Sequence, residues 1–380
     1  MLTISKDVIA PALDLAGKVI PTRLSGGSIL GAVLLASESA SGTTVDVYGT
    51  DCDVTVQQRV PVASGDLRDP IGIPFRPLRD FVKAAPKGAM IQIEPLDDNR
   101  ARVAVVGGAS ITVDAYPHAD WPQIHSFTPA PDVETVWHMG GTEAAGWLHP
   151  CLHAMGTDET RRYLNGTYFH HTAGELRAVA TDGHRLVRSV ACGLYAEGVK
   201  AIVPALAVKL MDAVARKAKD STVTFAVTPT MAAMLTGGTA IYTKLIDAEY
   251  APYERVTPTD DQTPHAIAVD AAALATLVAQ AAAGGAKVVE IVLSPGEVTV
   301  RSGDNAGATI PCRHYRGPTQ RLHVNARYLR DALALVSSGY DITLHVSDPK
   351  PLTKKTCVVD PVRFTVPNGA ITGVIMPVRI

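Results

Sequence analysis

The chain has 380 residues, 47% hydrophobic, 19% charged and 5% aromatic, with 35 basic and 37 acidic side chains for a formal charge of −2. This length fits two or three ordinary domains, and the balance of charge excludes a globally basic nucleic-acid binder while leaving room for a local basic surface. No apolar run is long enough to span a bilayer, no basic-then-apolar leader opens the chain, and a cytoplasmic protein is expected.

Read in chain order, the first element is a strand, polar turn and strand from Val45 to Val56, with Thr50-Asp51 at the turn. The same pattern returns about a third of the chain later, from Leu176 to Val187 around Thr181-Asp182, and more weakly from Val298 to Asn305 around Asp304. A second mark, Val113-Asp114-Ala115-Tyr116-Pro117, recurs as Ile246-Asp247-Ala248-Glu249-Tyr250-Ala251-Pro252 at nearly the same interval. Two marks with one period predict three similar units. The proline-rich stretches 121–131 and 256–264 read as linkers, which places the units at 1–126, 127–260 and 261–380.

Short alternating β segments outnumber helices in each unit, which predicts an α+β fold. A helix entered at Pro74 sets Leu78, Phe81, Val82 and Ala85 on one stripe and Arg76, Arg79 and Lys83 on another. Pro150 is expected to kink or end the first helical window of the middle unit. The window from Pro204 to Lys219 gives Leu206, Leu210 and Val214 to a core and Lys209 and Arg216 to the opposite side, with Asp212 diluting that face. The segment 279–285 is almost all alanine and glycine, and the window from Asn325 to Ser338 offers Leu329, Leu333 and Val336 inward and Arg327 and Arg330 outward. One basic helix face is ordinarily a solvated surface, but recurrence in several units points to a shared basic surface.

Five scattered cysteines (Cys52, Cys151, Cys192, Cys312 and Cys357) form no CxxC pair, so neither a disulfide framework nor a thiolate metal site is indicated. The cluster Thr181-Asp182-Gly183-His184-Arg185-Leu186 invites an acid-base reading of Asp182 and His184, as in a metal-independent hydrolase. Sequence neighbours on a strand or its turn point to different sides, and no nucleophile stands near them. No GxSxG, HExxH, P-loop or Rossmann fingerprint occurs. His149, His153, His170 and His171 have no metal-ligand spacing, so neither a metal nor another cofactor is expected.

The run Arg161-Arg162-Tyr163-Leu164-Asn165-Gly166, followed by Ala178-Val179-Ala180-Thr181-Asp182-Gly183-His184-Arg185-Leu186, resembles the bacterial DNA polymerase III beta subunit, the sliding-clamp family. Further marks follow in the family's order: Thr243 to Asp247 with Tyr253 to Val256, Asn325 to Tyr328, and the terminal Val374 to Ile380. The first unit matches mainly in layout.

The resemblance implies three similar clamp domains per chain, with helices lining the hole and antiparallel sheets outside, and a head-to-tail homodimeric ring around duplex DNA. It implies a tether for polymerase III, the clamp loader, and repair or translesion proteins, with no catalytic activity of its own. The DNA-facing side chains expected are Arg23, Arg161, Arg162 and Tyr163 by resemblance, and Arg79, Lys83, Lys209 and Arg216 from helix geometry. A peptide-binding pocket is implied at Leu164, Thr181, Gly183, His184, Arg185, Leu186, Arg255, Val256, Asn325, Tyr328, Val374, Met376, Pro377, Val378 and Arg379. Its floor is expected from the apolar tail, and its polar rim from Arg185, Arg255 and Asn325.

The chain departs from the family in three ways. Arg162-Tyr163 stands where a tyrosine pair is frequent, Pro150 interrupts a helix, and the alanines of 279–285 provide no aromatic wall or bulky dimer contact. A clamp paralogue that binds an inhibitor or another protein is the alternative within the same fold.

Overall fold

The computed structural model describes residues 1–21, 28–37, 43–96, 99–122, 135–194, 196–303, 307–348, 360–367 and 369–378. Arg23, Asp304, Asn305, Cys357 and Arg379 therefore lie outside the described residues. The described chain falls into two compact units, one of residues 1–145 and 209–245, the other of residues 146–208 and 246–380.

The first unit contains a five-stranded and a nine-stranded sheet, both antiparallel. The five-stranded sheet runs Ser64–Gly65, Leu2–Ser5, Met90–Leu96, Arg100–Val105 and Ser110–Asp114 in spatial order. Ile4, Ile91, Ile93 and Val103 from this sheet meet Val33, Leu35, Val45, Val47 and Ile73 from the other in one core. Helix α1 (Lys6–Ala16) and helix α2 (Phe75–Ala84) pack on each other and add Ile9, Leu13, Leu78 and Val82 to that core. Ser5 caps α1 by accepting from the Asp7 N–H at 3.3 Å. Lys6, in the first turn of α1, donates to the Lys83 and Ala85 carbonyls at the end of α2, neutralising orphan acceptors there.

The nine-stranded sheet extends beyond the first predicted unit. Strand Val54–Pro61 pairs with Thr239–Lys244, and the sheet continues through Met231–Thr236 and Thr222–Val227 to Thr135–Gly140. Side chains reinforce that seam: Thr239 Oγ1 lies 2.6 Å from Gln58 Oε1, and Tyr242 donates to Gln57 at 3.0 Å.

In the second unit, an eight-stranded antiparallel sheet runs Lys200–Pro204, Gly166–Thr172, Glu175–Thr181, Arg185–Cys192, Ile371–Ile375, Val362–Thr365, Asp341–Val346 and His265–Asp270. Its alternation is legible in sequence: Ile342, Leu344 and Val346 are buried from one strand, and Ile267 and Val269 from its neighbour. A four-stranded sheet of Ala308–Pro311, Glu297–Arg301, Val288–Ser294 and Gln320–Asn325 completes the unit.

Helix α3 (Gly141–Leu148) gives way to a 3-10 turn at His149–Cys151, so Pro150 ends the α-helical run as expected. Helix α4 spans Ala205–Ala218. Helix α5 (Ala271–Ala281) packs on helix α6 (Ala326–Leu333). Asp270 caps α5 through the Ala273 N–H at 2.6 Å.

Candidate functional site: an aromatic and apolar surface at the Thr-Asp turn

The turn at Thr181-Asp182 is built from its own side chains. Thr181 Oγ1 donates to the Arg185 carbonyl at 2.7 Å and accepts from the Gly183 N–H at 3.1 Å. Asp182 Oδ1 accepts from the N–H groups of His184 and Arg185 at 2.9 and 3.0 Å. The first mark repeats this bond for bond: Thr50 to Val54, Cys52 to Thr50, and Asp53 and Val54 to Asp51. Gly183 and Cys52 occupy the same position with φ of 88° and 77°. The repeat seen in sequence is one hydrogen-bonded turn used twice. Asp182 spends one oxygen on two backbone donors and the other on Arg185, so it shapes the turn and orients an arginine instead of acting as a base.

Arg185 is the centre of the site. Its side chain is 7% exposed, with Nε 3.1 Å from Asp182 Oδ2 and Nη1 2.5 Å from Asp331 Oδ2. Its guanidinium lies over the Tyr328 ring, Cζ 4.4 Å from the centroid, and the His184 ring stacks beside Tyr328 at 6.4 Å. Arg185 is thus a buried support beneath an aromatic surface, which corrects the expectation of a rim group. Asn325 Oδ1 accepts from the Arg327 and Tyr328 N–H groups and so caps α6, aiming Tyr328, while the residue stays half-buried.

Sequence reading missed Asp331, although it sits three residues beyond Tyr328, the spacing that shares a helix face. His153, noted in the sequence only for lacking metal-ligand spacing, stands near Arg185 and Asp331. Burial first, and the Arg185 guanidinium second, hold the imidazole well below its ordinary range, at about 4.

Leu164, Leu186 and Val374 are buried in one cluster with Val179, Ile202, Tyr250 and Tyr253, and Tyr163 packs against it. Val374 comes from the last strand, which pairs Leu186 with Val374 in register. Beyond that strand the Met376 N–H donates to the His184 carbonyl at 2.9 Å, and the Val378 N–H to the His323 carbonyl at 2.7 Å. Pro377, between them, is half-buried. Met376 and Val256 are exposed apolar side chains, and they line a cleft of about 560 Å³ together with Arg255, Pro258, Pro361, Asp348 and Asp360. Met376 thus meets the Thr181-Asp182 turn through its backbone and the Arg255–Val256 segment through the cleft, while Tyr328 meets the same turn at Arg185.

The basic side chains differ in their pairing. Arg79 lies against Asp80 and over the Phe75 ring, while Lys83 meets Asp14 on α1 at 3.1 Å. Arg161 pairs with Asp158 at 3.1 Å. Arg162 and Lys209 are exposed. Arg216 pairs with Asp212, which is 5% exposed and so buried, not diluting the outer face as expected.

The family model for the DNA polymerase III beta subunit matches residues 1–125 with its N-terminal domain and 149–252 with its central domain. The beta sliding clamp of Caulobacter vibrioides is 30% identical over 390 residues, covering 100% of both chains. The chain belongs to the bacterial beta sliding clamp family. That of Escherichia coli K12 is 28% identical over 235 residues, 60% of each chain. A crystal structure of the Pseudomonas aeruginosa DNA polymerase sliding clamp shares the fold, with a TM-score of 0.87 at 22% identity over 100% of this chain and 99% of that one. Caulobacter crescentus pol III beta gives 0.84 at 26% identity with complete coverage of both. The clamp is a processivity factor of DNA polymerase III in DNA replication, and not itself an enzyme.

Proposed function

We propose that two copies of this clamp close head to tail into a ring around duplex DNA, and that the surface around Arg185 holds a short, partly apolar peptide from its partners. The ring acts in the cytoplasm and is built of three similar domains per chain, residues 1–126, 127–260 and 261–380, with helices lining the hole. Two sheet edges support a head-to-tail contact: Ser110–Asp114 and Ala308–Pro311 each end a sheet, and an edge strand carries unpaired donors and acceptors ready for another strand. Joining unlike edges is a heterologous contact, which makes a ring when its rotation closes.

The DNA-facing groups are Arg23, Arg79, Lys83, Arg161, Arg162, Tyr163, Lys209 and Arg216. Arginine and lysine contacts to phosphate carry no base information and permit sliding. Topology then supplies retention.

The peptide surface comprises Leu164, Thr181, Gly183, His184, Arg185, Leu186, Arg255, Val256, Asn325, Tyr328, Val374, Met376, Pro377, Val378 and Arg379. Its occupants are segments of the replicative polymerase, the clamp loader, and repair or translesion proteins. Met376 carries the reading: its N–H is bonded to the His184 carbonyl while its side chain lines the cleft with Arg255 and Val256. Sliding clamps of Bartonella birtlesii and Pseudomonas aeruginosa have been crystallised bound to griselimycin, and the same kind of occupancy is proposed here.

The test is sedimentation across a dilution series, then retention on nicked circular against linearised DNA after loading. A dimer held on circles and lost from linear ends is expected; a monomer indifferent to topology would exclude the ring. Replacing Met376 and Pro377 with alanine is expected to abolish polymerase binding and leave the dimer intact.

A further inference from the structure

The wall of the cleft that carries Arg255 and Val256 is a single 3-10 turn, Tyr253–Val256, with both of those side chains exposed. A one-turn 3-10 segment has little stability of its own. What holds it is Tyr253, which is 4% exposed. Its hydroxyl accepts from Arg177 Nη1 at 3.2 Å and stands 3.0 Å from His170 Nε2. Arg177 is in turn held by Glu175 at 2.7 Å. His170 is buried and its pKa is pushed down to about 4, by burial first and the Arg177 guanidinium second, so the neutral ring accepts the hydroxyl proton. The hydroxyl is then satisfied on both sides.

Behind it the His170 ring stacks on Tyr168 at 4.6 Å, and Tyr168 stacks on Tyr250 at 4.8 Å. The Tyr250 hydroxyl donates to the Val179 carbonyl at 3.3 Å. Both tyrosines of the segment 250–253 are therefore bolted to the strands Gly166–Thr172 and Glu175–Thr181, the second of which ends in the Thr181-Asp182 turn.

We propose that His170 and Arg177, through the Tyr253 hydroxyl, are positioning residues that fix the Arg255–Val256 wall for the peptide that occupies the cleft. The inference rests on the pocket reading given above. None of the three side chains needs to touch the ligand. Their role is to remove the freedom of the turn before binding, so that its ordering is not charged against affinity.

The experiment measures griselimycin affinity and thermal unfolding for the full chain and for Tyr253→Phe, His170→Ala, His170→Gln and Met376→Ala. Tyr253→Phe keeps the buried ring and removes only the hydroxyl, so it remains informative where a larger change fails to fold. Binding is expected to weaken roughly three- to tenfold in Tyr253→Phe and His170→Ala, the scale of one lost hydrogen bond. His170→Gln, which restores an acceptor, is expected to recover it, a rescue that loss of general stability would not give. Met376→Ala is expected to lose binding outright. If Met376→Ala loses binding while Tyr253→Phe and His170→Ala bind as the parent does, the positioning role is overturned and the pocket stands. If Met376→Ala binds as the parent does, the pocket reading itself fails.

Discussion

At the scale of single residues, Gly183 and Cys52 make a paired experiment that the protein has set up itself. Both sit at positive φ in the same turn, but a Cβ at Gly183 would also come within 2.7 Å of Arg161 Nη1. Gly183→Ala is therefore expected to cost about 1–2 kcal/mol in unfolding free energy. Cys52→Gly is expected to change it by less than about 0.5 kcal/mol, because relief of the strained backbone offsets the larger entropy of an unfolded glycine. Denaturant titration of the two variants checks both.

His170 gives a second prediction at this scale. The unfolded chain takes up its proton near 6.5 and the folded chain only near 4. The unfolded state is accordingly favoured as pH falls through that window, and the contribution levels off below it. A penalty of the order of 3 kcal/mol accumulates from His170 alone. Thermal unfolding at pH 7 and pH 4.5 should show the loss, and His170→Gln should reduce it.

At the scale of elements, the decisive unit is α6 with the turn it faces. Asn325 caps the helix, Tyr328 presents its ring and Asp331 holds Arg185, so one helix start supplies a cap, a surface and a counter-ion at successive turns. Arg185→Ala leaves Asp182 and Asp331 without their shared cation and removes the plane beneath Tyr328. It is expected to cost about 2–4 kcal/mol. Arg185→Lys should recover only part, since an ammonium cannot bridge two carboxylates while lying flat on a ring. Chemical denaturation of both variants measures the difference. On α2 the opposite holds: Arg79 and Lys83 are half-exposed and paired with exposed acids, so their removal should leave stability within about 0.5 kcal/mol.

At the scale of the whole molecule, the sheets run across the bounds of the predicted units, and they do so in the same way twice: the strand after each Thr-Asp turn pairs with a strand from the end of the next unit. Val54–Pro61 and Thr239–Lys244 are central neighbours in the nine-stranded sheet, and Arg185–Cys192 and Ile371–Ile375 in the eight-stranded one. Each seam covers strand edges that would otherwise be open to aggregation. The strands within residues 222–244 should therefore unfold together with Val54–Pro61, to which they are paired in one sheet, and calorimetry of the full chain is expected to resolve fewer than three transitions.

Local sequence was enough to read the alternating strands, the Thr-Asp turn and its repetition, the apolar stripe of α2 and the end of α3 before Pro150. All of these depend on spacing within a few residues, where backbone geometry and local hydrogen bonding decide. Resemblance also pointed to the Thr181–Leu186 turn and the Asn325–Tyr328 helix start, which meet at Arg185. Packing, which the sequence does not display, buries Arg185 and buries Asp212 while its partner Arg216 stays half-exposed. Packing also sets Asp331 and His153 beside Arg185, and His170 beside Tyr253. The contact of Arg185 with Asp331 spans 146 residues, and no local pattern carries a register of that range.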